Sequence, residues 1–86
     1  MHVMAVSTIS DNDQFWGAMK KAYSHLPKGA KWTLAVGSTD GTKAVNVIVH
    51  ESIDSVKRFF EEYAGPFGTT EYFEADAANA VGLPKQ

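Results

Sequence analysis

Residues 44–52 are the run of this chain that most clearly predicts a buried strand, because apolar side chains recur there at a period of two. One face of the predicted strand carries Val45, Val47 and Val49. The opposite face carries Ala44, Asn46, Ile48 and His50. We expect the all-valine face to meet the helices of the fold.

The chain before this strand predicts one strand and one helix. Residues 2–9 are rich in Val and Ile, which favours a first strand. Ser10 with Asp13 three residues later resembles a capping box and predicts a helix start. Pro27 indicates where that helix has ended. Its apolar stripe consists of Phe15, Met19, Ala22 and Leu26.

The remaining segments predict two more strands and a second helix. Residues 31–37 alternate like a strand, and the Asp-Gly pair within residues 38–42 predicts a hairpin into the strand at 44–52. Ser52 can cap a helix that ends at Gly65-Pro66. Residues 71–77 predict the last strand, and the small apolar tail at 78–84 is expected to pack over a neighbouring surface. The stripe of the second helix consists of Ile53, Val56, Phe60 and Tyr63.

The order strand–helix–strand–strand–helix–strand predicts an α+β, ferredoxin-like βαββαβ fold. Right-handed crossovers place both helices on one face of a four-stranded antiparallel sheet. The sequence does not decide which side chains of the first strand point toward the helices. The two possible sets are His2/Met4/Val6/Thr8 and Val3/Ala5/Ser7/Ile9. On the second strand, the side chains expected beside the helices are Trp32, Leu34 and Val36.

The sheet face away from the helices is predicted to mix apolar and polar side chains. Such a face is either solvent-exposed sheet or the contact surface of a second copy, and we favour a homodimer, which would also cover edge strands. The residues expected on this face are Thr33, Ala35, Asn46, Ile48, His50, Tyr72, Glu74 and Asp76.

Length and composition limit the classes of function. With 86 residues, the chain predicts a single domain spanning residues 1–86. Eight Lys and Arg against ten Asp and Glu leave a net charge of −2, so we expect neither nucleic acid nor membrane as a partner. The absence of cysteine excludes disulfides and thiolate chemistry within the chain. Without an export signal or an apolar run of spanning length, a cytoplasmic location is expected.

The segment from Val47 to Val56, followed by Phe59-Phe60, resembles the dimeric α/β-barrel proteins. In particular, an apolar strand ending in Glu-Ser, before a helix that opens on an acidic residue, is similar to the third strand and second helix of that superfamily. It includes antibiotic-biosynthesis monooxygenases, stress-responsive A/B-barrel proteins and polyketide cyclases. The resemblance implies a ferredoxin-like homodimer, and His2 looks like the histidine that opens the first strand in the cyclase and stress-responsive groups.

One departure limits what the resemblance implies. The cyclases carry a further histidine just after the second helix, where this chain has Glu62-Tyr63-Ala64-Gly65-Pro66. A catalytic assignment therefore does not carry over from the resemblance. Fold similarity by itself is no evidence for a particular reaction.

Three residues are candidates for catalysis: His50, Glu74 and Tyr72. An imidazole near the end of a central strand titrates near neutral pH and can act as a general base. Glu74 and Asp76 are expected on one face of the last strand, and one of two crowded carboxyl groups can retain its proton and act as an acid. The alternatives are a hydrogen-bonded histidine at the sheet rim, and edge-strand charges that prevent aggregation.

Further polar and apolar residues are candidates for contacting a ligand. Asn46 and Tyr72 can orient a phenolic or carbonyl group by hydrogen bonds, or they can serve as interface contacts. Trp16 and Trp32 are expected to be core or interface residues. The residues predicted to bind a substrate are Asn46, Ile48, Thr33, Asp76 and His2.

Two hypotheses of function follow. The first is a cofactor-independent cyclase, isomerase or monooxygenase acting on a small aromatic or polyketide-like substrate, with His50 as base. The second is a non-catalytic dimer that binds a small ligand, or a divalent metal through His and carboxylates. No resident cofactor or metal is predicted, because phosphate loops, dinucleotide fingerprints and a second zinc-ligand histidine are missing from the sequence.

Overall fold

Two α-helices lie on one side of a four-stranded antiparallel sheet in the computed structural model, which describes residues 1–82. One 3-10 turn, Gly65–Phe67, leads into the last strand, and a second, Ala77–Asn79, follows that strand. The main elements are β1 (His2–Ile9), α1 (Asn12–Tyr23), β2 (Lys31–Gly37), β3 (Lys43–Val49), α2 (Ile53–Ala64) and β4 (Gly68–Glu74).

The strands are arranged in the order β2-β3-β1-β4, with every neighbouring pair antiparallel. β1 and β3 are therefore central, and β2 and β4 are the two edges. This is the predicted ferredoxin-like βαββαβ topology. No helix within residues 1–82 combines the length and the apolar character needed to cross a membrane.

Short polar side chains start both helices. Ser52 begins α2 as predicted, because its hydroxyl accepts from the Ser55 amide while the Ser55 hydroxyl accepts from the Ser52 amide. The start of α1 is one residue later than predicted. Its cap is Asp11 instead of Ser10, and the Asp11 carboxylate accepts from both the backbone and the side chain of Gln14.

β4 begins and ends three residues earlier than the predicted span of 71–77. Gly68 starts the strand because a Cβ there would lie 2.7 Å from the Thr8 carbonyl oxygen, so a larger residue cannot pair this closely with β1. Asp76 consequently lies beyond the strand and caps the turn Ala77–Asn79. The packing predicted for residues 78–84 falls partly outside the described residues.

The sheet face that meets the helices is the opposite of the one predicted. Ile48 and Ala44 belong to the hydrophobic core with Phe15 and Phe60 of the helices, and Asn46 is fully buried. The three valines of β3 lie on the other face. The prediction was wrong because both faces of β3 are largely apolar, so alternation alone cannot tell which one the helices cover.

The register of β1 settles the facing that the sequence left open. Its inward set is Val3, Ala5, Ser7 and Ile9, all buried. On β2 a bulge between Trp32 and Leu34 shifts the alternation by one residue. Trp32 therefore packs against the core, whereas Leu34 and Val36 face away from the helices; the predicted common face for these three side chains was wrong.

Candidate functional site

The Asn46 side chain is fully buried between the sheet and the helices. Of the two polar atoms of its carboxamide, the oxygen accepts a hydrogen bond. The Trp32 indole Nε1 donates to Asn46 Oδ1 at 3.0 Å. Within residues 1–82 no hydrogen-bond partner reaches Asn46 Nδ2. A buried amide of this kind costs free energy unless it is satisfied, so the Trp32 bond fixes the orientation that the amide must adopt.

Tyr72 extends from edge strand β4 on the helix side of the sheet, half-buried, and its phenol contacts α2. The hydroxyl donates a hydrogen bond to Glu61 Oε2, and the ring lies edge-on to Phe60 at 6.0 Å between centroids. Burial, followed by the hydrogen bond to Glu61 and its charge, raises the pKa of Tyr72 above its ordinary value. The phenol therefore remains protonated at neutral pH and acts as a donor.

His50 and Glu74 lie at the same end of the sheet, where β3 and β4 finish and β1 begins. The His50 amide donates to the Met1 carbonyl oxygen at 3.0 Å, and the Met1 ammonium donates to the His50 carbonyl oxygen at 2.7 Å. Across β1, the Ala75 amide donates to the His2 carbonyl oxygen at 2.8 Å. β1 separates β3 from β4, and Glu74 pairs with Val3, two residues beyond the Met1 that faces His50, so the backbones of His50 and Glu74 are about 12 Å apart.

The other candidates for ligand contact occupy separate environments. Ile48 is buried in the core, and Thr33 lies at the β2 bulge, where its hydroxyl donates to the Val47 carbonyl oxygen at 3.3 Å. The Asp76 carboxylate accepts from the Ala78 amide and from the Asn79 side chain. His2 is buried on the face away from the helices, paired with Val49.

The structure thus groups the predicted residues in part. Ala35, Asn46 and Tyr72 do share one face, in a row that crosses the sheet through Ala5. That face is packed with helices instead of open. Asp76 is separated from Glu74 by the end of β4, so the expected pair of carboxylates on one strand face does not form. Among residues 1–82, no three His, Asp or Glu side chains gather closely enough to hold a metal ion.

The side of the sheet away from the two helices, which we call the open face, has an apolar centre and polar margins. The exposure of its side chains is uneven: Val36 and Phe73 are about half exposed, at 50% and 47%, whereas Val47 and His2 are buried. No helix of residues 1–82 packs on this face. Its apolar centre consists of Met4, Val6, Leu34, Val36, Val45, Val47, Val49 and Phe73, and its margins carry Lys31, Lys43, Thr8, Thr69, Glu71 and His2.

A groove between α1 and β2, here called the α1–β2 groove, was not expected from the sequence. It has a volume of about 340 Å³ and contains both tryptophans of the chain. The two rings were expected to be core or interface residues, and only the tertiary packing places them on one surface. The groove is lined by Trp16, Met19, Lys20, Tyr23, Trp32, Thr33, Leu34 and Ala35.

Comparisons with known proteins add no family to this geometry. No protein-family model, no curated protein and no solved structure matches the chain. The resemblance to dimeric α/β-barrel proteins is compatible with the observed topology but is not supported by a family match. Any function must accordingly be inferred from the two sheet faces and the grooves beside them.

Proposed function

We propose that this protein is a homodimer of the dimeric α/β-barrel type whose subunits bind a small molecule. The observation that supports the dimer is the open face, with an apolar centre of eight side chains that is up to four strands wide, and a polar margin. A contiguous apolar patch rimmed by polar residues is the usual anatomy of a protein interface.

The open face is rich in β-branched side chains, which suits packing against another sheet. Four strands about 4.8 Å apart span about 14 Å between the two outer strands, and one row of the patch is apolar on all four of them. Leaving this surface in water forfeits about 25 cal/mol for each Å² of apolar area that a partner would cover. A partner sheet also protects the exposed edge strands from unspecific pairing.

The distribution of charge favours a second copy as that partner. Lys31 and Lys43 lie on β2 and β3, whereas Glu71 lies on β4 at the other side of the face. A two-fold axis parallel to the strands places β2 of one subunit over β4 of the other. The half of each face that carries the lysines then overlies the half of its partner that carries Glu71, twice per dimer, and Lys43 is the lysine nearer to Glu71 in register.

Sedimentation equilibrium tests the dimer with two matched substitutions. We expect about 19 kDa for the wild type, twice the 9.4 kDa of one chain. Phe73→Glu places a charge in the apolar centre and should yield a monomer, because that charge would be buried without a partner. Val81→Glu introduces the same charge at a fully exposed apolar residue outside the face and should remain dimeric. A monomeric wild type, or a dimeric Phe73→Glu variant, contradicts the proposed assembly.

For the small-molecule part of the proposal, the geometry favours binding over catalysis. Asn46 Oδ1 and the Tyr72 hydroxyl, two of the polar groups expected to orient a substrate, are engaged with Trp32 and Glu61 inside the chain. The face expected to form a catalytic pocket around Asn46 is filled by core side chains. A ligand that occupies a surface groove needs none of these groups to be released.

A catalytic role is the second candidate, and the placement of His50 and Glu74 at one end of the sheet favours it. His50 would act as the base and Glu74 would position a small aromatic or polyketide-like substrate. Conversion of a panel of phenolic and polyketide-like carbonyl compounds tests this role. Turnover that His50→Gln abolishes, with the fold intact by circular dichroism, is the expected result; turnover unchanged by that substitution contradicts it.

A further inference from the structure

The α1–β2 groove is apolar and aromatic over most of its surface. Trp16 and Tyr23 come from α1 and Trp32 from β2, so three rings surround one space. Its volume of about 340 Å³ is at the small end of the ~300–1,000 Å³ that ligand pockets usually enclose. A second cleft, between α1 and α2, is larger at about 490 Å³ but is lined by Gln14, Lys21 and Glu62 among others. The smaller groove is thus the better match for an apolar ligand of one or two rings.

A glycine makes room for one wall of the groove. A Cβ built on Gly37 would lie 2.8 Å from Trp16 Cζ2, closer than non-bonded carbon atoms approach. The φ angle of Gly37 is not positive, so its role is this close approach and not an unusual backbone conformation. The Trp16 indole can therefore lie directly against the backbone of β2.

The Trp32 wall is held in position by a polar contact. Its Nε1 is committed to Asn46 Oδ1, so the indole is anchored to central strand β3. Tyr23, 63% exposed, lies with its ring centroid 6.1 Å from the ring of Trp32. A wall fixed in this way presents ring faces for stacking without a further loss of side-chain freedom on binding.

Lys20 provides the charge of the groove. It is the charged residue of the lining, in the last turn of α1, and within residues 1–82 its ammonium has no ion-pair partner. An unpaired cation at the rim of an apolar, aromatic groove is complementary to a ligand with a planar ring body and one anionic group.

We propose that the α1–β2 groove is a binding site for a small planar aromatic anion. Its rings stack on Trp16, Tyr23 and Trp32, and its anionic group pairs with Lys20. This inference deepens the proposed small-molecule function and rests on it, but it does not rest on the dimer, since every lining residue belongs to one subunit.

The fluorescent probe 8-anilinonaphthalene-1-sulfonate tests the site directly. Both tryptophans of the chain line the groove, so a bound probe should receive energy from them in a saturable titration, one probe per subunit. N-phenyl-1-naphthylamine, which has the same rings and lacks the sulfonate, should bind about two- to fivefold more weakly, as expected for one exposed ion pair.

Substitutions separate the groove from other apolar surface. Lys20→Gln should weaken the sulfonate probe about two- to fivefold and leave the neutral probe unchanged. Tyr23→Ser removes an exposed ring and should weaken both probes about two- to tenfold. Lys21 follows Lys20 on the same helix, and the control variant Lys21→Gln should bind both probes like the wild type. Absence of saturable transfer, or wild-type affinity in both Lys20→Gln and Tyr23→Ser, overturns the assignment.

The dimer variant keeps the two proposals distinguishable. In Phe73→Glu, the sulfonate probe should still bind with tryptophan energy transfer, and adding Lys20→Gln should weaken it as in the wild type. A wild-type chain that sediments as a monomer and shows this binding refutes the dimer and leaves the groove intact. Loss of the Lys20 dependence in Phe73→Glu contradicts a site complete within one subunit.

Discussion

The two faces of the sheet are both largely apolar, yet they are built for different contacts. The helix face carries small residues such as Ala5 and Ala44, beneath the large rings of Phe15 and Phe60. The open face carries valines and other medium-sized side chains in even rows. Because close packing requires large side chains to fill the space above small ones, size complementarity selects the face that the helices cover. Apolar content does not distinguish the two faces.

Polar groups sharpen the contrast. The helix face buries Ser7 and Asn46, and each has a partner from the same side of the sheet: Thr70 Oγ1 lies 2.7 Å from Ser7 Oγ, and Trp32 donates to Asn46. The open face keeps its polar residues at the margin. Asn46 Nδ2 is the exception on the helix face, since no partner reaches it within residues 1–82. A face with most of its buried polar groups matched in this way is close to complete in the monomer, whereas an apolar centre with a polar rim is suited to a partner.

The largest predicted effect on stability comes from a substitution on the helix face. Phe60→Ala removes a fully buried ring and should lower the free energy of unfolding by about 3–5 kcal/mol at any protein concentration. Phe73→Ala, on the open face, should instead reduce stability in a way that depends on protein concentration, because it weakens association. Urea denaturation of both variants at two concentrations measures the difference; equal, concentration-independent losses would remove the distinction between the faces.

A smaller effect is expected from the buried amide of the helix face. Asn46→Ala leaves the Trp32 indole N–H without its acceptor and should cost about 1–3 kcal/mol. A double-mutant cycle uses Asn46→Leu, Trp32→Phe and the variant that carries both. The double variant removes both polar partners together, so it should cost less than the sum of its own two single substitutions. Additive losses in the double-mutant cycle would show that the hydrogen bond is not the source of the effect.

Tyr72, on the helix face, should make the stability of the protein depend on pH in the alkaline range. Its folded pKa is raised above the ordinary value of 10.0, so its contribution to stability is present below pH 10 and is lost as pH rises above that value. Tyr72→Phe should lower stability by about 1 kcal/mol at neutral pH and abolish this alkaline loss. Thermal unfolding from pH 8 to pH 11 measures it; identical alkaline slopes in both proteins contradict the assigned cause.

The hairpin between β2 and β3 belongs to neither face and supplies the smallest effect. Hydrogen bonds from the Thr42 hydroxyl, the Ser38 hydroxyl and the Thr42 amide lower the pKa of Asp40 to about 2, from 3.8. Its contribution to stability is therefore present above pH 3.8 and is lost as pH falls toward about 2. Asp40→Asn should flatten the acid limb of the unfolding curve slightly, leaving dimerisation unchanged; an unaltered acid limb would contradict this account.

The order of elements was predictable because local signals agree with the fold. Ser52 caps α2 within its own turn, and the Asp40-Gly41 pair closes the hairpin, so both features depend on neighbouring residues alone. The span of β2 was likewise predicted correctly, at Lys31–Gly37. Features of this kind need no knowledge of the tertiary structure.

The facing of the strands was not predictable from alternation. Alternation correctly groups Asn46 with Tyr72, but it does not say which side the helices take, and the bulge after Trp32 reverses the rest of β2. The α1–β2 groove was missed for a related reason. It depends on Trp16 reaching Gly37, a contact between distant segments that only the packed structure reveals.

The central claim is that the open face is where two copies of the chain meet. An isotope-filtered NOE experiment on a mixture of carbon-13-labelled and unlabelled chains tests it most directly, because it detects only contacts between subunits. We predict intermolecular NOEs from the methyl groups of Met4, Val45 and Val47, and from the ring of Phe73. Intermolecular NOEs confined to α1 or α2, or none at concentrations where the protein sediments as a dimer, would contradict the account.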